Sequence, residues 1–466
     1  MNLDLYKHIY LIGIGGIGMS ALARYFNSKD KMVCGYDKVK SELCVELETE
    51  GINIHYTEDV NKIPEPIKNA DFNDVLVIYT PAISSNNRVL TFFANNGFRV
   101  YKRSEILGMI SKQSFTIAVA GTHGKTTTST ILAHILKQGG KELTAFLGGI
   151  SRNYNTNLLL ADKGNILIVE ADEYDRSFLQ LHPDIVIITS VDADHLDIYK
   201  NKQDLENAFV QFVTQIKQKG LLLVEESVCI DFPVPEDGLK LTYSATKNAD
   251  YYAENIKVKD GKMNFDLKFL DIMPGMSNEQ NEDGLEFILP GIHNVSNSIA
   301  ASAVCCYLGL GCKDISRGLA TFKGIKRRFD VHLTNSKVAY VDDYAHHPEE
   351  VSATIGAAKQ LFPNRDLTVV FQPHLFSRTK DFANEFASSL VDANDLILLD
   401  IYPARENPIS GVDSQMLLDL CNNPIKEVCN KEELLALLKN KELDVLLTLG
   451  AGDIGTLVEP IKYLLN

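Results

Sequence analysis

Short apolar runs alternate with stretches of helical periodicity along most of the chain. The runs "HIYLIGIG", "FTIAVAG", "ILIVEADE" and "LTVVFQP" are typical of strands in a parallel sheet that is covered on both faces. Between such runs, stretches such as "GMSALARYF" and "TTTSTILAHILKQGG" repeat apolar residues at helical spacing. The pattern therefore predicts an α/β protein whose strands are joined by helices.

Three α/β segments of this kind follow one another, which predicts three domains. We expect a Rossmann-like N-terminal domain at 1–111, a central α/β domain at 112–325 and a C-terminal Rossmann-like α/β domain at 326–466. In the central segment, "YYAENIKVKDGKMNFDLKFL" alternates polar and apolar residues and precedes the acidic stretch "SNEQNEDG". This predicts a mostly parallel central sheet with a small antiparallel edge and an acidic loop.

Composition narrows the class of protein. A net charge of −15 over 466 residues argues against a broad nucleic-acid surface, and the eight cysteines form no C-x-x-C pair, which fits reduced cytoplasmic thiols. The stretch "HIYLIGIGGIGMSALA" has the length of a signal-peptide core, but its glycine periodicity and Asp4 favour a strand that enters a glycine turn. No apolar run approaches the ~18–20 residues that span a bilayer, so we expect no membrane partner. We also expect a cytoplasmic monomer or homodimer without nucleic-acid partners.

The segment "AGTHGKTTT" has the features of a phosphate-binding loop. Gly121 and Gly124 allow a tight turn whose N–H groups face an anion, Lys125 can reach the β- and γ-phosphates, and the Thr126 hydroxyl can bind Mg²⁺. Val119 occupies the position of the first glycine in the full P-loop motif, so this is a shortened variant. We predict a nucleotide and Mg²⁺ site here, which makes the central domain at 112–325 a P-loop-type ATPase domain.

Two acidic segments, "VEADEYD" and "VDADHLD", end strands of the same predicted domain. In a P-loop fold, carboxylates at these positions face the phosphates and can hold Mg²⁺. His195 in the second segment is unusual, because Mg²⁺ prefers oxygen ligands. Nothing near them resembles a Ser-His-Asp or Cys-His arrangement, so we expect the attacking groups to belong to the substrates.

A second glycine turn, "GIGGIGMSALA", predicts a pyrophosphate bound at a helix N-terminus. From the motif alone a dinucleotide is the more probable ligand, with Asp37 as a ribose contact, which would make the protein an NAD-dependent oxidoreductase. A non-catalytic nucleotide switch would also explain the phosphate-binding loop. The separate motifs leave these alternatives open.

Taken together, the motifs resemble those of a known family. "GIGGIGMSALA", "TPAI", "AGTHGKTTT", "VEADE", "DADHLD", "PGIHNVSN", "KRRFD", "DDYAHHP", "FQPHLFSRT" and "LGAGDI" stand in the order found in the Mur ligases of bacterial cell-wall synthesis, and most resemble the alanine-adding members. The resemblance implies ATP-dependent formation of an amide bond between the lactyl carboxylate of UDP-N-acetylmuramate and L-alanine, through an acyl phosphate. A recycling ligase that adds a preformed peptide shares most of these motifs.

The resemblance also implies roles for individual residues, with the third domain closing over ATP and binding the amino acid. The expected catalytic residues are Lys125, Glu170, His195, His347 and Arg378, and the expected Mg²⁺ ligands are Thr126, Glu170 and His195. ATP would be bound by Gly121, Thr122, His123, Gly124, Lys125, Thr126, Thr127, His293, Asn297, Arg328 and Asp343. The sugar nucleotide and amino acid would be bound by Gly13, Gly15, Gly16, Gly18, Asp37, Thr80, Pro81, Ala82, Tyr344, His346, His374 and Arg378.

The chain departs from the family pattern at two positions. Leu375 stands where "FQPHR" is common, and Ala345 stands where glycine is common. Leu375 removes a possible positive charge from the substrate site, while we expect the reaction to be the same. Several sister ligases have a carbamylated lysine after the "DHLD" loop. The stretch "LENAFVQF" here contains no lysine, so we expect the metal site to lack that group.

Overall fold

The computed structural model describes residues 3–192, 198–234, 237–246, 248–269, 282–404 and 406–466. Contacts between Cα atoms divide the chain into two compact units. The first unit comprises Met1–Tyr252, Phe269–Gln280 and Asn297–Gly318, and the second comprises Ala253–Lys268, Asn281–Ser296 and Leu319–Asn466.

The first unit begins with a five-stranded parallel sheet in the order β3-β2-β1-β4-β5. Because the order reverses between β1 and β4, the strand ends there form a crevice of the kind that binds nucleotides. This is the predicted Rossmann-like arrangement. Its elements are β1 (His8–Ile12), α1 (Ile17–Asn27), β2 (Met32–Tyr36), α2 (Glu42–Thr49), β3 (Asn53–His55), α3 (Glu65–Lys68), β4 (Val75–Tyr79), α4 (Arg88–Asn95), β5 (Arg99–Lys102) and α5 (Arg103–Lys112).

A second, mostly parallel sheet in this unit carries the phosphate-binding loop. Its elements are β6 (Phe115–Ala120), α6 (Lys125–Gln138), β7 (Leu143–Ser151), β8 (Thr156–Leu159), β9 (Ile166–Ala171), β10 (Ile185–Ile188), α7 (Lys202–Val213), β11 (Leu221–Glu225) and β12 (Leu239–Ser244). The strand order is β12-β11-β10-β6-β9-β7-β8, and β8 is antiparallel to β7. Strand β6 lies between β10 and β9, so the ends of both neighbours face the loop that follows it.

The alternating segment forms β13 (Tyr251–Lys259) and β14 (Lys262–Phe269), followed by β15 (Glu282–Phe287), α8 (Ile292–Tyr307) and α9 (Cys312–Thr321). Within the second unit β14 pairs antiparallel with β15, which confirms that some strands of this region are antiparallel. The prediction of an acidic loop was wrong at the C-terminal end of that segment, because Glu282, Asp283 and Gly284 begin β15. The part of that loop at 277–281 lies outside the described residues.

The remainder of the second unit is a six-stranded sheet in the order β16-β17-β21-β18-β19-β20. All neighbours in it are parallel except β16, which is antiparallel to β17. Its elements are β16 (Asp330–Thr334), β17 (Ala339–Asp343), α10 (Pro348–Leu361), β18 (Leu367–Phe371), α11 (Phe376–Asp381), α12 (Ala383–Ser389), β19 (Asp395–Leu399), α13 (Ser414–Leu420), β20 (Ile425–Cys429), α14 (Leu434–Lys439), β21 (Val445–Leu449) and α15 (Val458–Leu465). Among the helices of the described ranges, none has the length and apolar character needed to span a membrane.

The two sheets of the first unit share one apolar core. Residues of both sheets belong to one hydrophobic cluster, and the rings of Tyr25 in α1 and Phe146 in β7 lie 5.4 Å apart. Asn157 of β8 donates hydrogen bonds to the Ile17 carbonyl (2.6 Å) and the Ser20 hydroxyl (2.9 Å), and it accepts one from Arg24. Helix α1 is therefore fixed to the sheet that carries the phosphate-binding loop.

Candidate active site

The loop between β6 and α6 has the backbone that the glycine pattern predicts. Gly121 has φ +134° and Gly124 has φ +81°, conformations that favour glycine. A Cβ on Gly121 would lie 2.1 Å from the Thr189 hydroxyl, so only a hydrogen fits beside the end of β10. The first turn of α6 follows at once, and its N–H groups make the loop suitable for an anion.

Ser190, which sequence reasoning missed, holds this loop in place. Its carbonyl accepts a hydrogen bond from the Thr122 N–H (3.1 Å), and its hydroxyl accepts one from the His123 N–H (2.9 Å). Asp192 donates its N–H to the Thr122 hydroxyl (3.1 Å), which donates in turn to the Asp192 carboxylate (3.3 Å). The residues after β10 thus support the loop, and only their position at a strand end could have indicated this.

Lys125 is turned toward Glu173, which lies in the predicted acidic segment "VEADEYD" but was given no individual role there. Its ammonium lies 2.9 and 2.8 Å from the two carboxylate oxygens of Glu173 and 2.5 Å from the Gly121 carbonyl. Burial by itself disfavours the charged lysine, but the nearby carboxylates of Glu173, Asp172 and Glu170 outweigh it and raise the pKa of Lys125. The lysine therefore carries its positive charge at the mouth of the phosphate-binding loop.

Glu170 is the penultimate residue of β9, and its side chain contacts the first turns of α6. One of its oxygens accepts from the Thr126 hydroxyl (3.1 Å), and the other accepts from the Ser129 hydroxyl (3.2 Å) and the Gly148 N–H (2.6 Å). A carboxylate and a hydroxyl that converge in this way are the hard oxygen donors that Mg²⁺ prefers, so Thr126 and Glu170 fit the ion. The third predicted ligand, His195, lies outside the described residues.

The predicted adenine residues lie on α8, one turn apart. Asn297 is buried and accepts a hydrogen bond from the Thr128 hydroxyl (3.1 Å). A Cβ on Gly124 would lie 2.6 Å from its side-chain oxygen, so Asn297 packs directly against the phosphate-binding loop. His293 is exposed in the first turn of the same helix. Thr127 is buried in α6.

The N-terminal glycine turn closes on Asp37. The Gly15 N–H donates to the Asp37 carboxylate (2.8 Å), which also accepts from the Val39 N–H (3.0 Å). Gly13 has φ +84°, and a Cβ there would lie 2.5 Å from the Thr80 side chain after β4. The segment Thr80, Pro81 and Ala82 therefore borders the turn, together with Gly16 before the first residue of α1 and Gly18 within its first turn.

Arg103 is a second residue that sequence reasoning missed. A Cβ on Gly18 would lie 2.3 Å from its guanidinium, which places a positive charge beside the N-terminal turn of α1. The same guanidinium lies 3.5 Å from Asp172, and Lys102 lies 3.3 Å from Asp175, so the end of β5 contacts the segment after β9. A cavity of about 320 Å³ adjoins these contacts, lined by Tyr79, Lys102, Ser104, Glu105, Asp175, Arg176, Ser177 and Gln180.

In the second unit, polar residues gather at the carboxyl ends of β17, β18 and β19. The rings of His346 and His374 lie 5.9 Å apart, and the ring of His374 stacks on Tyr402 at 5.7 Å. The guanidinium of Arg328 lies 5.1 Å from the centre of the Tyr344 ring. Tyr402, a further residue that the sequence did not indicate, follows β19 at the same sheet edge.

Asp343 ends β17 as a buried carboxylate. It accepts hydrogen bonds from the N–H groups of Phe329 (2.6 Å) and Ala345 (2.7 Å). Burial raises the pKa of Asp343 to about 6, while Arg328 and the two N–H groups act in the opposite direction. Ala345 itself is fully buried beside it.

The two remaining predicted catalytic residues differ in exposure. His347, which directly precedes α10, is 4% exposed, and its ring packs edge-on against the ring of Phe382. Arg378 is half-buried on α11. Leu375, which begins that helix, has φ +70°, a backbone conformation that leucine rarely adopts. The positive φ sets the entry of the chain into α11, directly before Arg378.

Three domains of known protein families match the chain, one for each of the three sheets. Residues 8–115 match the Mur ligase family catalytic domain, 119–305 the Mur ligase middle domain and 327–452 the Mur ligase glutamate ligase domain. The chain is 46% identical over 465 residues to the UDP-N-acetylmuramate–L-alanine ligase of Parabacteroides distasonis, covering 100% of this chain and 98% of the relative. The enzyme of the same name from Cytophaga hutchinsonii is 45% identical over 468 residues, with 100% and 98% coverage.

A solved structure agrees with these relatives. The crystal structure of UDP-N-acetylmuramate–alanine ligase from Thermotoga maritima is similar to the chain with a TM-score of 0.81 and 26% identity, covering 98% of this chain and 99% of that one. A murein peptide ligase from Psychrobacter arcticus has the same fold, with a TM-score of 0.71 and 21% identity over 98% of each chain. On the three matched domains and the full-length relatives, this chain belongs to the Mur ligase family.

Proposed function

We propose that the chain joins L-alanine to the lactyl carboxylate of UDP-N-acetylmuramate and cleaves ATP to ADP and phosphate, in the cytoplasmic synthesis of peptidoglycan precursors. The observation that carries this proposal is the full-length identity of 46% and 45% to relatives that bear this activity in their names. Two features of the first unit support the proposal: a glycine turn precedes α1 at the edge of the first sheet, and the phosphate-binding loop precedes α6 at the edge of the second, so two nucleotides could be bound. An oxidoreductase would have no use for the second.

The reaction needs no nucleophile from the protein. The lactyl carboxylate attacks the γ-phosphorus and ADP leaves, which gives an acyl phosphate. The alanine amine then attacks the acyl carbon, and the resulting tetrahedral intermediate loses phosphate and a proton. The protein's contribution is positioning and neutralisation of charge.

Residues of the phosphate-binding loop would hold the triphosphate. The N–H groups at the start of α6 face the phosphates, and Lys125 neutralises their charge. Thr126 and Glu170 would hold Mg²⁺, which supplies further neutralisation of the transferring phosphoryl group. His195, outside the described residues, stays a predicted ligand, and Asn297 and His293 stay predicted contacts of the adenine.

The sugar nucleotide would bind at the first sheet. Its pyrophosphate would lie against the N-terminus of α1, where Arg103 adds a positive charge. In the second unit, Tyr344, His346, His374 and Arg378 remain the predicted amino-acid site, with Arg328, Asp343 and His347 as predicted contacts of ATP and the reacting groups. Arginine can pair bidentately with a carboxylate, so Arg378 suits the carboxylate of alanine.

The test is phosphate release by the purified chain with UDP-N-acetylmuramate, ATP and Mg²⁺. We expect release that depends on L-alanine and not on the tripeptide L-alanyl-γ-D-glutamyl-meso-diaminopimelate. Release with the tripeptide alone would overturn the choice of substrate, and no release with either would overturn the activity.

Two lysine-to-alanine variants on α6 distinguish the loss of the charge at the phosphate-binding loop from a general effect on the helix. Lys125→Ala removes the charge that faces the phosphates, and phosphate release should fall at least about 100-fold. Lys137→Ala makes the same change in the last turn of the helix, where the side chain packs over the Tyr154 ring at 5.3 Å. It should keep the activity of the unaltered enzyme within twofold; equal activity of both variants would contradict the assigned role of Lys125.

A further inference from the structure

Glu173 is a fully buried carboxylate whose charge is balanced by the lysine of the phosphate-binding loop. The side chain of Glu173 is 0% exposed and that of Lys125 is 16% exposed. The ammonium also lies 2.5 Å from the Gly121 carbonyl and 3.3 Å from the Thr122 carbonyl. With two carboxylate oxygens and two carbonyls around it, its three N–H donors are all engaged.

A phosphate can therefore reach Lys125 only if the lysine gives up part of this arrangement. An ammonium N–H that donates to a phosphate oxygen can no longer donate to the carboxylate or to a carbonyl of the loop. The charged bond to Glu173 is the strongest of the four contacts, because ionic hydrogen bonds are stronger than those to neutral carbonyls. Nucleotide binding and the pair with Glu173 thus compete for one cation.

The backbone of Glu173 is anchored, so the lysine is the partner that moves. The Glu173 carbonyl accepts hydrogen bonds from the Tyr199 hydroxyl (2.6 Å) and the Arg176 N–H (3.0 Å). Tyr199 is fully buried, and the Arg176 guanidinium lies over its ring at 5.0 Å and bonds both oxygens of Asp204 at 2.8 Å. Lysine, by contrast, carries its charge on a flexible four-carbon stem.

Two strained residues support the same anchor. Asp175 and Arg176 have φ values of +49° and +60°, which non-glycine residues rarely adopt in succession. Their conformation turns the chain so that Arg176 can reach both the Glu173 carbonyl and Asp204. Such strain persists only where surrounding contacts maintain it.

We propose that Glu173 is a positioning residue that withdraws Lys125 from the phosphates and so speeds the release of ADP after each turnover. This rests on the proposed function, in which ADP is a product that must leave. The carboxylate holds the lysine charged and ready at the mouth of the loop in the free enzyme, and it recaptures the ammonium once the γ-phosphoryl group has been transferred.

The test measures the dissociation rate of a fluorescent ADP analogue by stopped flow, with Mg²⁺ and with EDTA. Glu173→Gln keeps the size of the side chain and one acceptor oxygen but removes the charge. We expect dissociation to slow about fivefold, because a neutral acceptor competes less strongly for the lysine. The association rate and the affinity for UDP-N-acetylmuramate should stay within twofold.

Asp184→Asn is the matched control. Asp184 precedes β10, at the opposite end of the same sheet, and pairs with Lys217 at 2.8 Å. The variant removes one negative charge from the same unit but leaves the contact between Lys125 and Glu173 intact, so we expect the rate of ADP dissociation to be unchanged. If Asp184→Asn slowed ADP dissociation as much as Glu173→Gln, the effect would come from net charge and the proposal would be overturned. Unchanged or faster ADP dissociation in Glu173→Gln would also overturn it.

If Glu173→Gln does not fold, Glu173→Asp answers the same question. The charge remains but is withdrawn by one methylene, so dissociation should slow about twofold, and unchanged or faster dissociation would overturn the proposal. ADP binding needs neither the sugar nucleotide nor alanine. A failure of the proposed function would therefore appear as a missing alanine-dependent phosphate release in the unaltered enzyme, without affecting this measurement.

Discussion

Replacement of Gly121 by alanine should disable the phosphate-binding loop. The residue has φ +134°, and the added Cβ would lie 2.1 Å from the Thr189 hydroxyl and 2.8 Å from the Ser190 nitrogen. The backbone at Ser190 cannot withdraw freely, because its carbonyl and hydroxyl hold the N–H groups of Thr122 and His123. The loop itself must therefore open.

The magnitude follows from two contributions. Backbone strain of this kind costs about 1–3 kcal/mol, and an overpacked methyl group in a tight site costs about 1–3 kcal/mol more. If about 3 kcal/mol is required to restore the anion-binding shape of the loop, the affinity for ADP falls by roughly 100-fold.

Gly140→Ala is the matched control at the other end of α6. Gly140 has φ +76°, but a Cβ there would meet nothing within 4 Å. This substitution therefore carries the strain alone, about 1–2 kcal/mol, away from the phosphates. Its ADP affinity should stay within twofold of the unaltered enzyme, with only a lower midpoint of urea denaturation.

The affinity for ADP is measured by isothermal titration calorimetry, and stability by urea denaturation, for the unaltered enzyme, Gly121→Ala and Gly140→Ala. An ADP affinity of Gly121→Ala within threefold of the unaltered enzyme would refute the reasoning. So would an equal loss of affinity in both variants, because the close contact with Thr189 and Ser190 would then have no effect.

Three further predictions concern other parts of the molecule. Glu170→Gln removes one proposed Mg²⁺ ligand and should lower phosphate release about 100-fold at limiting Mg²⁺, with partial recovery as the Mg²⁺ concentration is raised; an unchanged dependence on Mg²⁺ would contradict the assigned role. Asn157→Ala removes the hydrogen bonds to α1 and should destabilise the first unit by about 1–3 kcal/mol, measured by urea denaturation; an unchanged midpoint would contradict this. Asp343 has a folded pKa of about 6, above its unfolded value, so its contribution to stability is lost as the pH rises through 6. Asp343→Asn should therefore gain about 2 kcal/mol relative to the unaltered enzyme between pH 4.5 and 7.5, and a constant difference would contradict the shift.

The sequence predicted strands inside all three sheets, among them β1, β6, β9 and β18, but it missed β7 and β11 inside the central sheet as well as strands at the sheet edges. Strands β3, β16 and β20 were not predicted. β3 has three residues, and β16 and β20 lie at sheet edges where few side chains are buried. Their apolar pattern is weak because only one side of an edge strand is covered, and the neighbours that complete them are distant in the chain.

The predictions of site residues are most specific where one segment carries the chemistry. The glycines and lysine of the phosphate-binding loop act through local backbone geometry, so the motif itself locates them. The glycine turn at α1 was ambiguous, because the same turn presents a helix N-terminus to any pyrophosphate. Only the full-length likeness to the alanine ligases separates a sugar nucleotide from a dinucleotide there.

The sequence by itself predicted the alternation of strands and helices, the two glycine turns and the family, because local periodicity or a short motif carries each of them. The tertiary structure decided which distant residues complete those turns. It brought Glu173 to Lys125 across 48 positions, Asn297 to Thr128 across 169, and Arg103 to Gly18. Contacts between segments so far apart depend on strand order and on the packing of helices over the sheets, which no local pattern contains.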